Sequence, residues 1–388
     1  MSRQLLWLML VFPLFLCCRP AASENGLRLG AERTELWKPL LEGKRIGLLV
    51  NHSSRVGPTH LLDTMLTLGL DVQRIFVPEH GFRGNADAGA HIADGRDPRS
   101  GLPIISLYGT SKKPSSQQLE GLDVLVFDLQ DVGVRFYTYA SSMHYLMEAC
   151  AEENLPVVVF DRPNPNGDYI DGPVLNLAFQ SFVGMHPLPV VHGLTLGELA
   201  EMINGEGWLS DGVFCDLTVV EMANYRHDSP YELPLPPSPN LPNALSIRLY
   251  PSLCLFEGTE VSIGRGTPFP FQVAGYPNPS FGSFTFTPQS GPGAQQPLQE
   301  GQLCYGIDLR QEEGLDHRFT LKYLLAFYEK SGRKADFISR RRFFNLLAGG
   351  DRLLQQIESG MSETEIRASW EDELAAFSRL RARYLLYP

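Results

Sequence analysis

The chain has 388 residues, enough for two ordinary domains, and its 43% hydrophobic and 20% charged residues describe a soluble globular protein. A formal net charge of -11 argues against a nucleic-acid binder, because phosphate neutralisation needs clustered Lys and Arg that the sequence does not contain. An anionic small substrate stays open, since a few placed arginines can hold one carboxylate whatever the net charge.

In chain order, the first segment is "MSRQLLWLMLVFPLFLCCRPAAS", with a basic start at Arg3, an apolar run from Leu5 to Leu16 and small residues up to Ser23. It reads as a secretory signal peptide over residues 1–23, so the protein is expected to be exported, periplasmic or secreted. The run is too short to span a bilayer comfortably, and no comparable run follows, so the mature chain is expected to carry no transmembrane helix. Lipid attachment at Cys17 would want a small residue where Leu16 stands. Four later cysteines, Cys150, Cys215, Cys254 and Cys304, are widely spaced and form no C-x-x-C, which argues against a zinc knuckle. They could pair after export; Cys150, in a helical context, reads as a small buried apolar residue.

Five short apolar runs recur in the first half: "RIGLLVN" (45–51), "RIFVPEH" (74–80), "IISLYG" (104–109), "VLVFDLQ" (124–130) and "VVVFDRP" (157–163). Continuous rather than alternating, they predict strands covered on both faces, hence a parallel sheet. "THLLDTMLTLG" and "TYASSMHYLMEACAEEN" have helical spacing and bridge consecutive strands. The fold class is therefore α/β, a doubly wound parallel sheet. Each run ends in polar residues: Asn51 and His52; Glu79 and His80; Tyr108; Asp128, Gln130 and Asp131; Asp161, Arg162 and Asn164. In an open parallel sheet these carboxyl ends share one edge, where ligands bind. One polar strand end is punctuation, whereas five point to a site.

Residues 81–103 hold five glycines and no helical pattern, a long irregular connection of the kind that serves function more often than packing. Past Pro163 the texture becomes turn-rich, with a helix started by Thr195 and a further strand in "CDLTVVEM". The proline-dense stretch "YELPLPPSPNLPN" (231–243) marks a boundary, dividing residues 24–238 from 239–388. Near the end, Trp370, Leu374, Phe377 and Leu380 recur at helical intervals and read as core residues.

Several motifs are missing. There is no G-x-G-x-x-G after the first strand, no P-loop, no G-x-S-x-G and no H-E-x-x-H, so neither cofactor nor metal is expected. What remains is carboxylates beside arginines, amides and aromatics, which suits sugar hydrolysis: one carboxylic acid protonates the leaving oxygen while a second group meets the oxocarbenium-like centre. Glu79 is the candidate proton donor, given an apolar strand behind it to favour the neutral acid. Asp131 or Asp128 would take the second role, as base, nucleophile or support for a participating acetamido group. Asp128 reads equally well as a structural acid tying down loop amides.

The motifs "GKRIGLLVNHSS", "PEHGFRGNADAG", "LPIISLYG", "GLDVLVFDLQDVGVRFYTY", "VVFDRPNP", "PPSPNLP", "EGTEVSIGRGT" and "SWEDELAAFSRLRARYLLYP" occur in this order. Together they resemble the exo-β-N-acetylmuramidase family of the NamZ type, from about Leu27 to the last residue. The resemblance implies a Rossmann-like N-terminal domain, a smaller α+β C-terminal domain and an active cleft between them. It also implies release of N-acetylmuramic acid from the non-reducing end of peptidoglycan fragments, a saccharide that carries a lactyl carboxylate. On that reading Arg83, Arg135, Arg162 or Arg265 would grip the carboxylate. Tyr137 and Tyr139 would stack on a sugar face or simply pack. His80 would orient Glu79 or bind substrate, with Asn51 on the same edge. Asn164, Ser238, Asn240 and Glu257 would come from the opposite wall. Two other readings share these residues: a non-catalytic binder of cell-wall sugars, and an ester or amide hydrolase on the same scaffold.

Overall fold

The computed structural model describes residues 26–79, 81–82, 94–109, 111–311, 317–332, 334 and 336–388. The segment expected to be a signal peptide, Cys17, His80, Arg83 and residues 84–93 of the glycine-rich connection lie outside the described residues.

The apolar runs become the strands of one seven-stranded sheet: β1 (Arg45–Val50), β4 (Asp71–Val77), β6 (Pro103–Ser106), β7 (Val124–Asp128) and β8 (Val157–Phe160). The short β5 (Gly95–Arg96) adds at one edge and β9 (Leu217–Val220), from "CDLTVVEM", at the other. The order is β5-β6-β4-β1-β7-β8-β9; only β5 runs antiparallel to its neighbour. Progress from β1 goes outward first one way and then the other, which is the doubly wound arrangement, with its reversal between β1 and β7. A small hairpin, β2 (Arg55–Val56) with β3 (Thr59–His60), follows β1.

Both faces are buried, as the continuous apolar runs demand. Ile46, Leu48, Val50, Val124, Val126, Val158 and Phe160 pack on one side with Trp37 and Leu41. Leu49, Leu125, Phe127, Val157 and Val159 pack on the other against the helix Tyr139–Glu152. The alternation along each strand is the two-residue period of the pleat, with apolar residues in both phases. Thr195 starts the helix Leu196–Gly205 with a capping box: its hydroxyl accepts from the Glu198 amide at 3.2 Å, and the Glu198 carboxylate accepts from the Thr195 amide at 2.9 Å.

The smaller C-terminal part combines a three-stranded antiparallel sheet with helices. β10 (Val273–Tyr276), β11 (Phe284–Phe286) and β12 (Cys304–Asp308) lie in the order β10-β12-β11. Trp370 and Phe377 are buried, and Leu374 and Leu380 pack against the same core, which runs without a break from the sheet's inner face into the C-terminal helices. The last residues return to the first domain. The Tyr387 hydroxyl donates to the Asp161 carboxylate at 2.7 Å, and the His227 amide donates to the Pro388 carbonyl at 3.0 Å.

Cys150, Cys215, Cys254 and Cys304 are buried free thiols, so the pairing left open by the sequence is absent among the described residues. Burial pushes their thiols above the ordinary range, Cys304 to about 11. Among the described residues no helix is long and apolar enough to cross a membrane.

Candidate active site

Glu79 stands two residues beyond β4, after Pro78 has ended the strand by withholding an N–H. Two hydroxyls hold its carboxylate, one on each oxygen. Tyr108, just past β6, donates to Oε1 at 2.8 Å. Thr138, the residue before the helix Tyr139–Glu152, donates to Oε2 at 2.7 Å. A hydroxyl can turn from donor to acceptor, so the same cradle can hold the carboxylate or the acid.

This half-buried carboxylate lines a cleft of about 310 Å³ whose opposite wall comes from later in the chain. Glu257 is there, on the 3-10 turn Cys254–Gly258 that prolongs the helix Ala244–Leu253. Arg265 donates to Glu257 Oε1 through Nη2 at 2.5 Å and Nε at 3.2 Å, and its guanidinium lies 5.0 Å from the centroid of Phe271. Gly264 and Gly266 flank it in the left-handed region, at φ of +79° and +77°. A Cβ at Gly264 would sit 2.8 Å from the Phe269 carbonyl, so the turn that presents Arg265 needs glycine there.

Between the walls runs the proline segment. Pro236 and Pro237 have no N–H to offer, and their carbonyls are taken from below: the His52 ring N–H donates to Pro236 at 2.7 Å and the Tyr137 hydroxyl to Pro237 at 2.9 Å. The segment is thereby strapped over the strand ends, and it delivers Ser238 and Asn240 to the cleft. The Asn240 side-chain amide donates onward to the Gly293 carbonyl at 2.7 Å, joining the strap to the C-terminal part. Phe182 closes the rim, with the Lys112 ammonium 4.2 Å from its ring centroid.

Of the residues singled out by sequence, Glu79, Tyr108, Tyr137, Ser238, Asn240, Glu257 and Arg265 meet in this cleft. Asp128, Asp131, Arg135, Arg162, Asn164, Asn51 and Tyr139 do not line it, and His80 and Arg83 lie outside the described residues. Asp128 is fully buried and receives Arg162 Nε at 2.5 Å and Nη2 at 2.9 Å, a bidentate pair across the ends of β7 and β8. It is the structural acid of the two readings, and Arg162, engaged with it, faces a separate crevice beside Arg55 and Tyr231. Arg135 is not offered to substrate: it is buried and donates to the carbonyls of Pro173, Leu188 and Leu347 at 2.7, 2.6 and 2.8 Å. Burial lowers its guanidinium to about 9. Asn164 is committed to the Leu194 carbonyl and the Asn166 amide. Asn51 donates to the Tyr139 hydroxyl at 2.8 Å, and Tyr139 packs edge-on behind Tyr137 with ring centroids 4.8 Å apart.

Asp131 lies off the cleft wall and only 7% exposed. Its Oδ1 accepts from the Gly133 amide at 2.6 Å, while Oδ2 is buried with no partner. Burial pushes this carboxyl up to about 7, against the pull of the Gly133 and Val132 amides.

Sequence reasoning placed Tyr108 at the strand edge without giving it a task, and passed over Thr138 and Phe182. The edge rule that selected Glu79 contains the signal for Tyr108, whose strand neighbours β4 directly. Thr138 was legible as the polar residue opening a helix after "VRFY". Nothing local marks Phe182.

Two family models match the chain in tandem: Exo-beta-N-acetylmuramidase NamZ, N-terminal, over residues 46–245, and its C-terminal counterpart over residues 248–387. The peptidoglycan beta-N-acetylmuramidase NamZ of Bacillus subtilis (strain 168) is 36% identical over 385 residues, covering 90% of this chain and 89% of that protein. Crystal structures of two DUF1343 family proteins from Bacteroides fragilis NCTC 9343 superpose with TM-scores of 0.87 and 0.77, at 47% and 29% identity. Each covers 93% of this chain and 99% of its own. With both halves of the chain matched and the α/β architecture in common, the protein belongs to the NamZ exo-β-N-acetylmuramidase family and is a glycosidase of that family.

Proposed function

We propose that the cleft releases N-acetylmuramic acid from the non-reducing end of peptidoglycan fragments by hydrolysing its β-1,4 link. The observation that carries the reading is the pair of carboxylates on facing walls: Glu79 cradled by Tyr108 and Thr138, and Glu257 ion-paired with Arg265. Glu79 gives its proton to the leaving glycosidic oxygen as the C1–O bond breaks, and positive charge grows on the ring carbon and ring oxygen. Negative charge at Glu257 opposes that centre, directly or by supporting the substrate's own acetamido group. Water then adds at C1, and the proton it sheds restores Glu79. The Arg265 guanidinium, with Nη1 free of protein partners among the described residues, is placed to meet the lactyl carboxylate. Tyr137 and Phe182 offer apolar surface to the sugar. A substrate of this kind lies outside the cytoplasmic membrane, in keeping with the export signal read in residues 1–23.

A chromogenic β-N-acetylmuraminide, assayed with and without chelator, tests the reading. Hydrolysis unaffected by chelator is expected, and Glu79→Gln should lower kcat by roughly 10²- to 10⁴-fold. A Glu79→Gln protein with near-normal turnover removes Glu79 from the role. Folded wild-type protein that binds the muraminide without cutting it would point to a sugar-binding protein instead.

A further inference from the structure

The cleft does not end at the Glu257–Arg265 pair. A second, larger and more open lobe of about 540 Å³ lies across it, and Glu257, Arg265 and Phe343 line both lobes. Ser262, Gln296 and Arg340 line only the second. Its wall is held in place: the loop 291–294 closes on itself through paired Gly291 and Ala294 backbone bonds of 3.1 and 3.0 Å. Asn240 grips that loop at the Gly293 carbonyl, and a Cβ on Gly293 would come 2.5 Å from Pro239, so loop and strap touch. Arg340 reaches over the waist, with Nη1 3.4 Å from the Glu257 carbonyl oxygen. It is exposed, belongs to no ion pair among the described residues, and its other guanidinium nitrogens have no protein partner there.

We propose that the second lobe holds the leaving-group side of the substrate, and that Arg340 binds a carboxylate carried there, the lactyl group or stem peptide of the next muramoyl unit. The inference rests on the glycosidase reading above. A terminal-acting enzyme keeps the departing end sugar in its smaller recess and needs an exit for the rest of the glycan. Here the smaller lobe contains Glu79, and past the ion pair the cleft continues, among the described residues, into the larger one. Side-chain amide, hydroxyl and a flat aromatic ring suit a neutral sugar. Two guanidinium groups against one carboxylate leave a surplus of positive charge that a neutral sugar would not use and a carboxylate would.

Three substrates separate the parts: an aryl β-N-acetylmuraminide, a muramoyl-glucosamine disaccharide, and a tetrasaccharide with a second muramoyl unit on the leaving side. Arg340→Ala should lower kcat/KM on the tetrasaccharide roughly tenfold, chiefly through KM, while the other two substrates stay within about twofold of wild type. Arg340→Lys should recover part of the loss. Gln296→Trp, filling the lobe, should slow the tetrasaccharide and spare the aryl substrate. Equal losses on all three substrates, or none on the tetrasaccharide, overturn the assignment of the second lobe while leaving the reaction standing. Wild-type protein that cleaves none of them overturns the reaction, and this inference with it.

Discussion

Arg135 and Asp131 illustrate how much of a glycosidase site is support. Arg135 spends its guanidinium on three backbone carbonyls, one of them Leu347 in the C-terminal part, so it ties the two walls from behind. Arg135→Ala would leave those carbonyls buried and unpaired, at a cost of about 3 kcal/mol or more. Urea unfolding should register that loss, while KM of the protein still folded stays near wild type; the reverse pattern would return Arg135 to substrate binding. The sequence could nominate Arg135 but not place it, because an arginine in an irregular segment is claimed by whichever carbonyls the tertiary fold brings near. The same holds for Asp128 and Arg162. Both were visible as strand-end charges, yet only the adjacency of β7 and β8 pairs them with each other. Glu79 and Arg265 were easier to read, since a proline-ended strand and a Gly-Arg-Gly turn fix where each side chain emerges.

Among elements, the proline strap decides the cleft's floor. Its two proline carbonyls are the backbone handles by which the first domain holds it. Tyr137→Phe keeps the ring at the cleft and removes its 2.9 Å donor to Pro237, leaving the Tyr139 hydroxyl 3.5 Å from the same carbonyl, which should cost about 1 kcal/mol. Faster amide exchange at Leu235 and Ser238 and a several-fold rise in KM are expected, with kcat little changed; unaltered exchange would show that the strap is held by other contacts. The strap was legible as a proline-dense boundary, but its course over the strand ends was not, since a segment without side-chain periodicity has no preferred face. The parallel strands were readable for the opposite reason: apolar residues in both phases can be buried only between two layers. The two-residue β5 has no such pattern and came unannounced.

For the molecule as a whole, buried acids set the pH response. Asp131 is pushed from an ordinary 3.8 up to about 7, and Asp161 to about 6, in both cases by burial first, which outweighs the Thr195, Tyr387 and Gly197 donors around Asp161. The folded chain therefore holds these protons more tightly than the unfolded one. Their contribution to stability is complete below pH about 4 and is lost as pH rises, through about 6 for Asp161 and about 7 for Asp131. The urea midpoint should accordingly fall between pH 5 and pH 8, and Asp131→Asn should flatten the decline; an unchanged slope in that variant would show that Asp131 is not its source.

The hydrogen bond from Tyr387 to Asp161 spans 226 positions of sequence. A ribosome adds residues in order, so the acid at the end of β8 waits for this donor until 226 further residues have been added. The sheet can assemble early, but its sealing is deferred. Maturation of the first domain during synthesis would then stop one contact short, and a nascent chain arrested before Tyr387 would leave Asp161 with its Thr195 and Gly197 donors but without this one.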